Sequence, residues 1–397
     1  MSAKFSPAQP SISATAYKRQ QVRVTCTAEK PAVAVTGANS FIGTHLVKQL
    51  LAKGYPVHAT VRDVNDDSKT DPLRALPGAS NQLRLFEADM TSPSSLEPAF
   101  EGISGIFHLA VPHPNHGGTP EINSDYRQEL LDAAVQGTSA VMKLASKNNA
   151  KVNPARRNSF IMAIFAEYDK PVEEQANSRF ERLLTQVVMT SSMAAVECGN
   201  VGEINSETRS KSEVYGAEGN TGVTHYAYVA AKTESEAKAW ELSKEMDVPL
   251  AVICPGNLVI GEVLSSHLNA TMRCLQGLLQ SENKLNNMTD IAPVNVEDVV
   301  SAHVAAFEEE EAGKRYLCAE KMIPVRDFIS IVEELYPSFP VASYAENKIV
   351  IGHGNERSLV PNISDLSLEF TPLANTVKAA VDSMVSKNLV SEESTLA

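Results

Sequence analysis

The stretch VTGANSFIG, residues 35–43, joins a β-branched run to a helical pattern and decides the fold. The run AVAVT at 32–36 predicts a buried strand, and the apolar spacing from Phe41 onward predicts a helix. Gly37 permits a tight turn between them, and Gly43 lets the helix pack closely against the strand. The amides at the helix N-terminus then face an anion, so the stretch predicts a pyrophosphate-binding turn.

Ser40 occupies the position where such a turn has its middle glycine. If that position needs a left-handed backbone, a serine costs on the order of 1–2 kcal/mol, which weakens the site without abolishing it. The serine hydroxyl could donate to a phosphate oxygen in return. We expect the turn to contact the cofactor through Thr36, Gly37, Asn39, Ser40, Phe41, Ile42 and Gly43.

Short β-branched runs alternate with amphipathic stretches through the first two thirds of the chain. This order predicts an α/β fold, a Rossmann-type doubly wound parallel sheet spanning residues 30–255. The predicted strands are 32–36, 57–61, 83–87, 105–110, 186–191 and 250–254. The predicted helices between them are 41–53, 122–148 and 227–246.

The pattern of predicted strands and helices changes after Pro255. A helix is predicted near 263–280, a strand near 291–294, and further helices at 297–309, 325–335 and 373–387. We expect residues 256–390 to form a smaller C-terminal substrate-binding domain, partly interleaved with the Rossmann domain.

Composition excludes several classes of protein. The 397 residues are 43% hydrophobic and carry a net charge of −13, which argues against a general attraction to nucleic acid or to an anionic membrane. Apolar runs stay shorter than the roughly 20 residues of a membrane span. The five cysteines are scattered without a C-x-x-C pair, so we predict reduced thiols and no metal site.

Residues 1–28 contain four basic residues and no acidic residue. With their Ser and Thr content, this composition is typical of a transit peptide, and residues 22–28 resemble a chloroplast processing site. We expect localisation in the plastid stroma. A disordered tail on a cytoplasmic protein and a mitochondrial address are the alternatives.

One interval is too long for a simple connection. Residues 151–185 separate a predicted helix from the next strand, and they contain an apolar patch at 160–166 followed by a charged, helix-favouring run. We interpret the interval as a helical insertion on the surface. It is either a tolerated loop extension or an element that docks a protein partner or caps the substrate.

The end of the second predicted strand indicates which dinucleotide binds. Arg62 stands where an acidic residue would hydrogen-bond an unmodified ribose, and its planar cation suits a 2′-phosphate. We therefore predict NADP(H) rather than NAD, although Asp63 follows directly. Asp89 and Met90, after the third strand, are placed to meet the adenine, and Ala110, at the end of the fourth predicted strand, is a further expected cofactor contact.

Tyr228-Val229-Ala230-Ala231-Lys232 puts a phenol and an ammonium one helical turn apart. The cation is expected to lower the pKa of the tyrosine toward neutrality and suit it to acid–base work. Ser192, at the end of a predicted parallel strand, would align a carbonyl with Tyr228. The same Y-x-x-x-K spacing recurs at Tyr344–Lys348, but no comparable serine precedes it.

Several stretches together resemble the extended short-chain dehydrogenases/reductases. Within that family, the chain is most similar to the group of dihydroflavonol reductases, cinnamoyl-CoA reductases and ketone/aldehyde reductases, from about Pro31 to Leu389. The matching stretches are VTGANSFIGTHLVKQLLAKGYPVHATVRD, GIFHLAVPH, VVMTSS, YVAAK, VICPGNLVIGE, VNVEDVVSAHVAAFE and FTPLANTVKAAV.

The resemblance implies a triad of Ser192, Tyr228 and Lys232, with Lys232 also holding the nicotinamide ribose. It further implies a nicotinamide pocket lined by Pro255, Gly256 and Leu258, and reduction of a carbonyl by hydride from NADPH. Three features depart from the family pattern: Ser40, the 151–185 insertion, and THYA at 224–227 in place of the K-N-W-Y-C-Y-type stretch of cinnamoyl-CoA reductases.

We therefore predict an NADPH-dependent reductase of a small or medium ketone or aldehyde. The loop 112–118, with two histidines, is a candidate substrate contact. One alternative is an NAD-retaining nucleotide-sugar epimerase or dehydratase, which would share the fold and the triad. The other is a non-catalytic protein that senses NADP or docks a partner.

Overall fold

A computed structural model describes residues 30–110, 124–150, 184–212, 224–285, 288–344 and 357–391. The predictions for residues 1–28, for the loop 112–118 and for 151–183 of the insertion lie outside these ranges. The plastid address and the partner-docking role of the insertion stay predictions.

The chain alternates strands and helices from its first described residues. The described strands are β1 (Val33–Thr36), β2 (Val57–Val61), β3 (Leu83–Glu87), β4 (Gly105–His108), β5 (Gln186–Thr190), β6 (Gly202–Ile204), β7 (Leu250–Pro255), β8 (Leu258–Ile260), β9 (Asp290–Ile291), β10 (Pro293–Asn295), β11 (Arg315–Cys318), β12 (Ile323–Pro324) and β13 (Arg357–Leu359). The described α-helices are α1 (Phe41–Ala52), α2 (Asp67–Arg74), α3 (Ala79–Gln82), α4 (Ser124–Ala150), α5 (Thr224–Met246), α6 (Ala270–Leu279), α7 (Val296–Glu308), α8 (Val325–Leu335) and α9 (Leu373–Ser386).

Seven parallel strands form the central sheet in the order β3-β2-β1-β4-β5-β7-β11. The predicted doubly wound sheet and its six strands are confirmed. The seventh strand, β11, was not predicted. It adds to β7 at the edge of the sheet, with Leu317 opposite Cys254.

Both faces of the sheet are covered, and its inner strands β1, β4, β5 and β7 are buried along their whole length. On β1, Val33 and Val35 pack into one core cluster, which also holds residues of α1 and α7. Ala34 points into the other cluster, with residues of α4 and α5. Burial of a valine side chain stabilises the fold by about 1.5–3 kcal/mol. Because successive side chains enter the two clusters in turn, this burial fixes the register of the strand.

A third core cluster lies among the C-terminal elements. Leu275 of α6, Phe328 of α8 and Val381 of α9 are buried there. The predicted helix near 263–280 begins only at Ala270, because the Asn269 side chain accepts the Met272 amide at 3.0 Å and caps the helix there. The division into 30–255 and 256–390 stays a prediction.

None of the described helices combines the length and the apolar character that a bilayer crossing requires.

Candidate active site

The carboxyl ends of the parallel strands meet at one edge of the sheet. The chain leaves β1 toward β2 on one side, whereas β4 adds to β1 on the other side, so the strand order reverses between β1 and β4. Open α/β sheets bind ligands in the crevice at such a point. The turn after β1, the residues after β4 and β5, and the end of β7 all belong to this edge.

Both glycines of the turn after β1 are required by close contacts. Gly37 has a φ of +67°, and a Cβ there would lie 3.2 Å from the Cα of Ala110. A Cβ on Gly43 would lie 2.3 Å from the Gly37 carbonyl oxygen. The amides of Phe41 and Ile42 lie in the first turn of α1, where a helix offers them no internal acceptor. These residues fit a pyrophosphate.

The condition under which Ser40 would strain the backbone is not met. Its φ is −76°, in the extended region, so a side chain is tolerated without the left-handed penalty. Its hydroxyl oxygen accepts the Gly43 amide at 3.0 Å and caps α1. Ser40 is thus an ordinary N-cap residue, and the family pattern misled the interpretation of its backbone.

A buried hydrogen-bonded chain holds the turn against β4. The Thr36 hydroxyl oxygen accepts the amides of Leu109 and Ala110, each at 3.2 Å, and lies 3.0 Å from Nδ1 of His108. Nε2 of His108 lies 3.1 Å from the Thr138 hydroxyl on α4. Burial lowers the pKa of His108 to about 3, so its imidazole is neutral at physiological pH. The network places Ala110 directly against Gly37.

The predicted adenosine contacts follow β2 and β3. Arg62 is exposed at the end of β2, and its charge is close enough to Asp89 to help lower the pKa of that carboxyl. The larger cause is the hydrogen bonding of Asp89 to Thr91. Asp63 accepts the Asn65 amide at 2.8 Å and so caps its own turn. Both side chains are exposed, and Arg62 is the one that can offer a cation to a ligand.

Met90 packs beneath this end of the site. A Cβ on Gly137 of α4 would lie 2.9 Å from the Met90 Cε, so the methionine fills the space that a glycine leaves on the helix. Its side chain is partly buried against the core cluster that lies between the sheet and α4. Met90 thus forms part of the floor next to Asp89.

The predicted nicotinamide pocket begins where β7 ends. Gly256 donates its amide to the Cys318 carbonyl at 3.1 Å, and a Cβ there would lie 2.1 Å from the Ala292 carbonyl oxygen. Pro255, the last residue of β7, is buried. The Leu258 side chain is buried in the C-terminal core cluster, so this residue would meet a cofactor through its backbone.

The structure brings Ser192, Tyr228 and Lys232 together. Ser192 follows β5, and its side chain forms a hydrogen bond with that of Tyr228 on α5. The Lys232 ammonium lies 5.9 Å from the centre of the Tyr228 ring and donates to the Thr190 carbonyl at 3.0 Å. The Ser192 oxygen also accepts the Ala194 amide at 3.1 Å, which fixes its position.

Burial controls the protonation of the three side chains. It raises the pKa of Tyr228 above 10, and the hydrogen bond with Ser192 opposes that shift only in part. The predicted lowering of this pKa by Lys232 is therefore wrong for the protein alone, because the ammonium is directed to the Thr190 carbonyl. Burial also lowers the pKa of Lys232 to about 8, against the charges of Cys254 and Glu236, which raise it.

The second Y-x-x-x-K pair shows no such arrangement among the described residues. Tyr344 packs at the margin of the C-terminal core cluster, and Lys348 lies outside the described residues. The structure therefore does not test the second pair.

Sequence reasoning missed a buried ion pair beside the triad. Glu197 ends the turn that starts at Ser192, and it accepts from Arg357 at 3.2 Å and from Asn257 at 3.4 Å. Arg357 also lies 3.5 Å from Asp290. Burial raises the pKa of Glu197 while the charge of Arg357 opposes the shift. Of these residues, only Asn257 could have been found from the sequence, because it directly follows the predicted site residue Gly256.

His303 was also missed, although it supports the end of β5. Its Nδ1 donates to the Val299 carbonyl at 2.7 Å, and its Nε2 accepts the Thr190 hydroxyl at 2.6 Å. Burial lowers the pKa of His303 to about 4, and the Val299 bond opposes this. The imidazole is therefore neutral and braces the strand that carries Ser192.

A glycine-rich turn at a strand-order reversal, with Ser, Tyr and Lys on the same edge, defines the class of dinucleotide-dependent enzymes with a Ser–Tyr–Lys site. Residues 33–319 match the NAD dependent epimerase/dehydratase family. The chain belongs to this family, the extended short-chain dehydrogenases/reductases.

The chain is similar to curated plant reductases over most of its length. It is 32% identical to cinnamoyl-CoA reductase 1 of Petunia hybrida, covering 89% of this chain and 92% of the relative. It is 29% identical to cinnamoyl-CoA reductase CAD2 of Medicago truncatula, covering 89% of this chain and 96% of the relative. The predicted family and the oxidoreductase class are confirmed.

A solved structure supports the fold. The yeast methylglyoxal/isovaleraldehyde reductase Gre2, complexed with NADPH, superposes with a TM-score of 0.67 and 21% identity, covering 90% of this chain and all of the yeast chain.

Proposed function

We propose that the protein is an NADPH-dependent reductase that transfers a hydride to the carbonyl group of a small or medium ketone or aldehyde. The observation that carries the proposal is the hydrogen bond between Ser192 and Tyr228 at the carboxyl edge of the sheet, with Lys232 on the next turn of the same helix. The reductase relatives support the reaction class.

The three side chains have complementary tasks in this reaction. The Ser192 hydroxyl donates a hydrogen bond to the substrate oxygen and orients it. Tyr228 donates its proton to that oxygen, and its raised pKa keeps the phenol protonated at neutral pH, as a proton donor must be. Lys232 supplies a positive charge that stabilises the tyrosinate left behind. NADPH, when bound, supplies the hydride.

NADPH is proposed over NADH because of the end of β2. Arg62 is exposed there and offers a guanidinium to a ligand, whereas one oxygen of the neighbouring Asp63 accepts the Asn65 amide within its own turn. A guanidinium recognises a phosphate through paired, charge-assisted hydrogen bonds. The pyrophosphate would lie over the amides of Phe41 and Ile42.

A ketone or aldehyde is proposed over a CoA thioester because of the residues before Tyr228. The chain has THYA at 224–227 where cinnamoyl-CoA reductases have their K-N-W-Y-C-Y-type stretch. Residues 224–246 form one continuous helix, so these four residues lie on the helix that carries Tyr228 and Lys232.

Tyr228→Phe tests the proposal. We expect NADPH to bind with unchanged affinity while the turnover number falls by roughly 10²–10⁴-fold, because only the proton donor is lost. The rate of carbonyl reduction is measured as the loss of NADPH absorbance with each member of a panel of ketones and aldehydes. Tyr226→Phe is the matched control: it removes a hydroxyl from the same helix on a different face, and turnover should persist. Normal turnover by Tyr228→Phe would refute the assignment.

The family match also keeps a second candidate open, an epimerase or dehydratase that retains NAD through its cycle. The two functions separate in one experiment. If the purified protein carries tightly bound NAD and converts a nucleotide sugar without added cofactor, the epimerase is correct. If it oxidises added NADPH only when a carbonyl compound is present, the reductase is correct.

A further inference from the structure

A buried carboxylate continues the face of α5 that carries Tyr228 and Lys232. Tyr228, Lys232 and Glu236 are spaced by four residues, so their side chains project from one side of the helix. Glu236 is 1% exposed. Lys, Glu, Arg and Asp are almost never fully buried without a partner, and the partners of Glu236 show its role.

The described groups that contact the Glu236 oxygens are all donors, and they include the Arg209 guanidinium, whose Nε lies 3.8 Å from Oε1. The Ser191 hydroxyl donates to Oε2 at 2.5 Å, and the Trp240 indole donates to Oε1 at 3.2 Å. Arg315, from β11, donates to Oε2 at 3.0 Å and places its Nε 2.7 Å from Oε1. A group that only accepts hydrogen bonds is an ionised carboxylate. Glu236 therefore joins α5 to the end of β5, where Ser191 directly precedes Ser192.

Arg315 extends the same network into the segment after Ser192. Its guanidinium donates to the carbonyls of Thr208 at 2.6 Å, Ser206 at 3.1 Å and Ala195 at 3.3 Å. The segment that begins with Ser192 is thus held by the same ion pair that holds α5. Arginine suits this position because its planar fork donates in several fixed directions.

Building on the reductase function proposed above, we propose that Glu236 is a positioning residue. Held by Arg315 and Ser191, it fixes Ser192 against the Tyr228–Lys232 face of α5 and places a negative charge one turn from Lys232. It touches neither substrate nor cofactor.

Stability alone does not account for this arrangement. A buried ion pair often contributes little or nothing to stability compared with a well-packed apolar replacement, because both charges lose their hydration. Its specific effect is geometric and electrostatic. Four parts of the site converge on one carboxylate: α5, the end of β5, β11 and, through Cys254 at 3.9 Å, β7 next to Pro255.

Lys232 is the group that would respond to this charge. It faces Tyr228 and Glu236 on its own helix, His108 on β4, Cys254 on β7 and His303 on α7. The pKa values of His108 and His303 are lowered to about 3 and about 4, and the pKa of Cys254 is raised to about 11 by burial. Lys232, whose pKa is lowered to about 8, is the one that titrates near neutrality.

Glu236→Gln removes the charge and keeps the shape. The full-length protein, labelled with ¹³C at lysine Cε, is titrated by NMR without substrate, and the Lys232 signal is assigned with Lys232→Arg. We expect the Lys232 midpoint to fall by about one pH unit in Glu236→Gln, since a nearby opposite charge is lost. Glu241→Gln, the same charge change at an exposed site of α5 paired with Lys238, is the matched control and should leave the midpoint in place.

Carbonyl reduction by the same variants gives the second readout. In Glu236→Gln, the turnover number should fall by roughly 10-fold or more, while NADPH affinity is retained. In a plot of turnover number against pH, the decline on the alkaline side (the alkaline limb) should move to lower pH. A purely structural loss would lower the turnover number without moving this limb. An unmoved Lys232 midpoint, or an unmoved limb, overturns the proposal.

Ser191→Ala covers the case in which Glu236→Gln does not fold. This variant removes one hydrogen bond and leaves the ion pair intact, so turnover should fall several-fold while the Lys232 midpoint stays unchanged. Wild-type turnover by Ser191→Ala overturns the positioning of Ser192 by Glu236. If the wild-type protein reduces no carbonyl compound, the reductase function fails, whereas the NMR titration still decides whether Glu236 controls Lys232.

Discussion

Acid should weaken the support of the catalytic strand through His303, and His303→Gln should remove that sensitivity. Glutamine retains one donor and one acceptor, so it can keep the bonds to Val299 and Thr190, but it does not titrate in this range. His303 is fully buried, so water does not contact its imidazole and cannot stabilise a charge there. The variant therefore isolates the protonation of a single imidazole.

The size of the effect follows from the shifted pKa. Burial lowers the pKa of His303 from 6.5 to about 4, and each unit corresponds to about 1.4 kcal/mol. The unfolded chain binds this proton below about pH 6.5, whereas the folded chain resists it until about pH 4. The free energy of unfolding thus falls as the pH falls through this window, by about 2 kcal/mol at pH 5 and about 3 kcal/mol in full.

Urea unfolding at about pH 7.5 and about pH 5 measures the loss. Trp240 is the only tryptophan and hydrogen-bonds Glu236, so its fluorescence reports on the active-site helix. The wild type should lose about 2 kcal/mol more between the two pH values than His303→Gln. His267→Gln, at an exposed histidine, should behave like the wild type. Equal losses in the wild type and His303→Gln would refute the reasoning.

Three further outcomes follow from the cofactor turn and the end of β7. Arg62→Ala should weaken NADPH by roughly 10–100-fold and NADH little, measured by fluorescence titration; equal losses would show that no 2′-phosphate is recognised. Ser40→Ala should lower the unfolding free energy by about 1 kcal/mol, because the hydroxyl caps α1. Ser40→Gly should lower it by only a few tenths of a kcal/mol. Tighter NADPH binding by Ser40→Gly would contradict the observed φ. Gly256→Ala should cost about 1–3 kcal/mol in thermal unfolding, since its Cβ meets the Ala292 carbonyl, and an unchanged melting temperature would contradict that contact.

The sequence predicted most of the sheet because its strands are short apolar or β-branched runs, and four of them, β1, β4, β5 and β7, are buried along their whole length. β11 escaped prediction because it has four residues and begins with Arg315, whose charge is buried only by virtue of Glu236, 79 positions away. Spacing along the chain carries no information about such a pair. The same holds for Glu197 and Arg357, which are 160 positions apart.

The triad was predictable because two local signals agreed: a Y-x-x-x-K helix and a serine at the end of a strand. The protonation behaviour of the triad was not, because it depends on burial and on the direction of the Lys232 ammonium toward Thr190. Ser40 shows the opposite failure. A family pattern indicated a glycine, while the backbone at that position is compatible with any residue.

The place of Arg315 on the edge strand has a consequence for biosynthesis. The ribosome releases Glu236 well before it releases Arg315, and a carboxylate enclosed without its counterion costs about 3–5 kcal/mol. We therefore expect a nascent chain that stops short of β11 to hold the helix bearing Tyr228 less firmly against the sheet than the complete chain does. The helix gains its counterion only when Arg315 has left the exit tunnel.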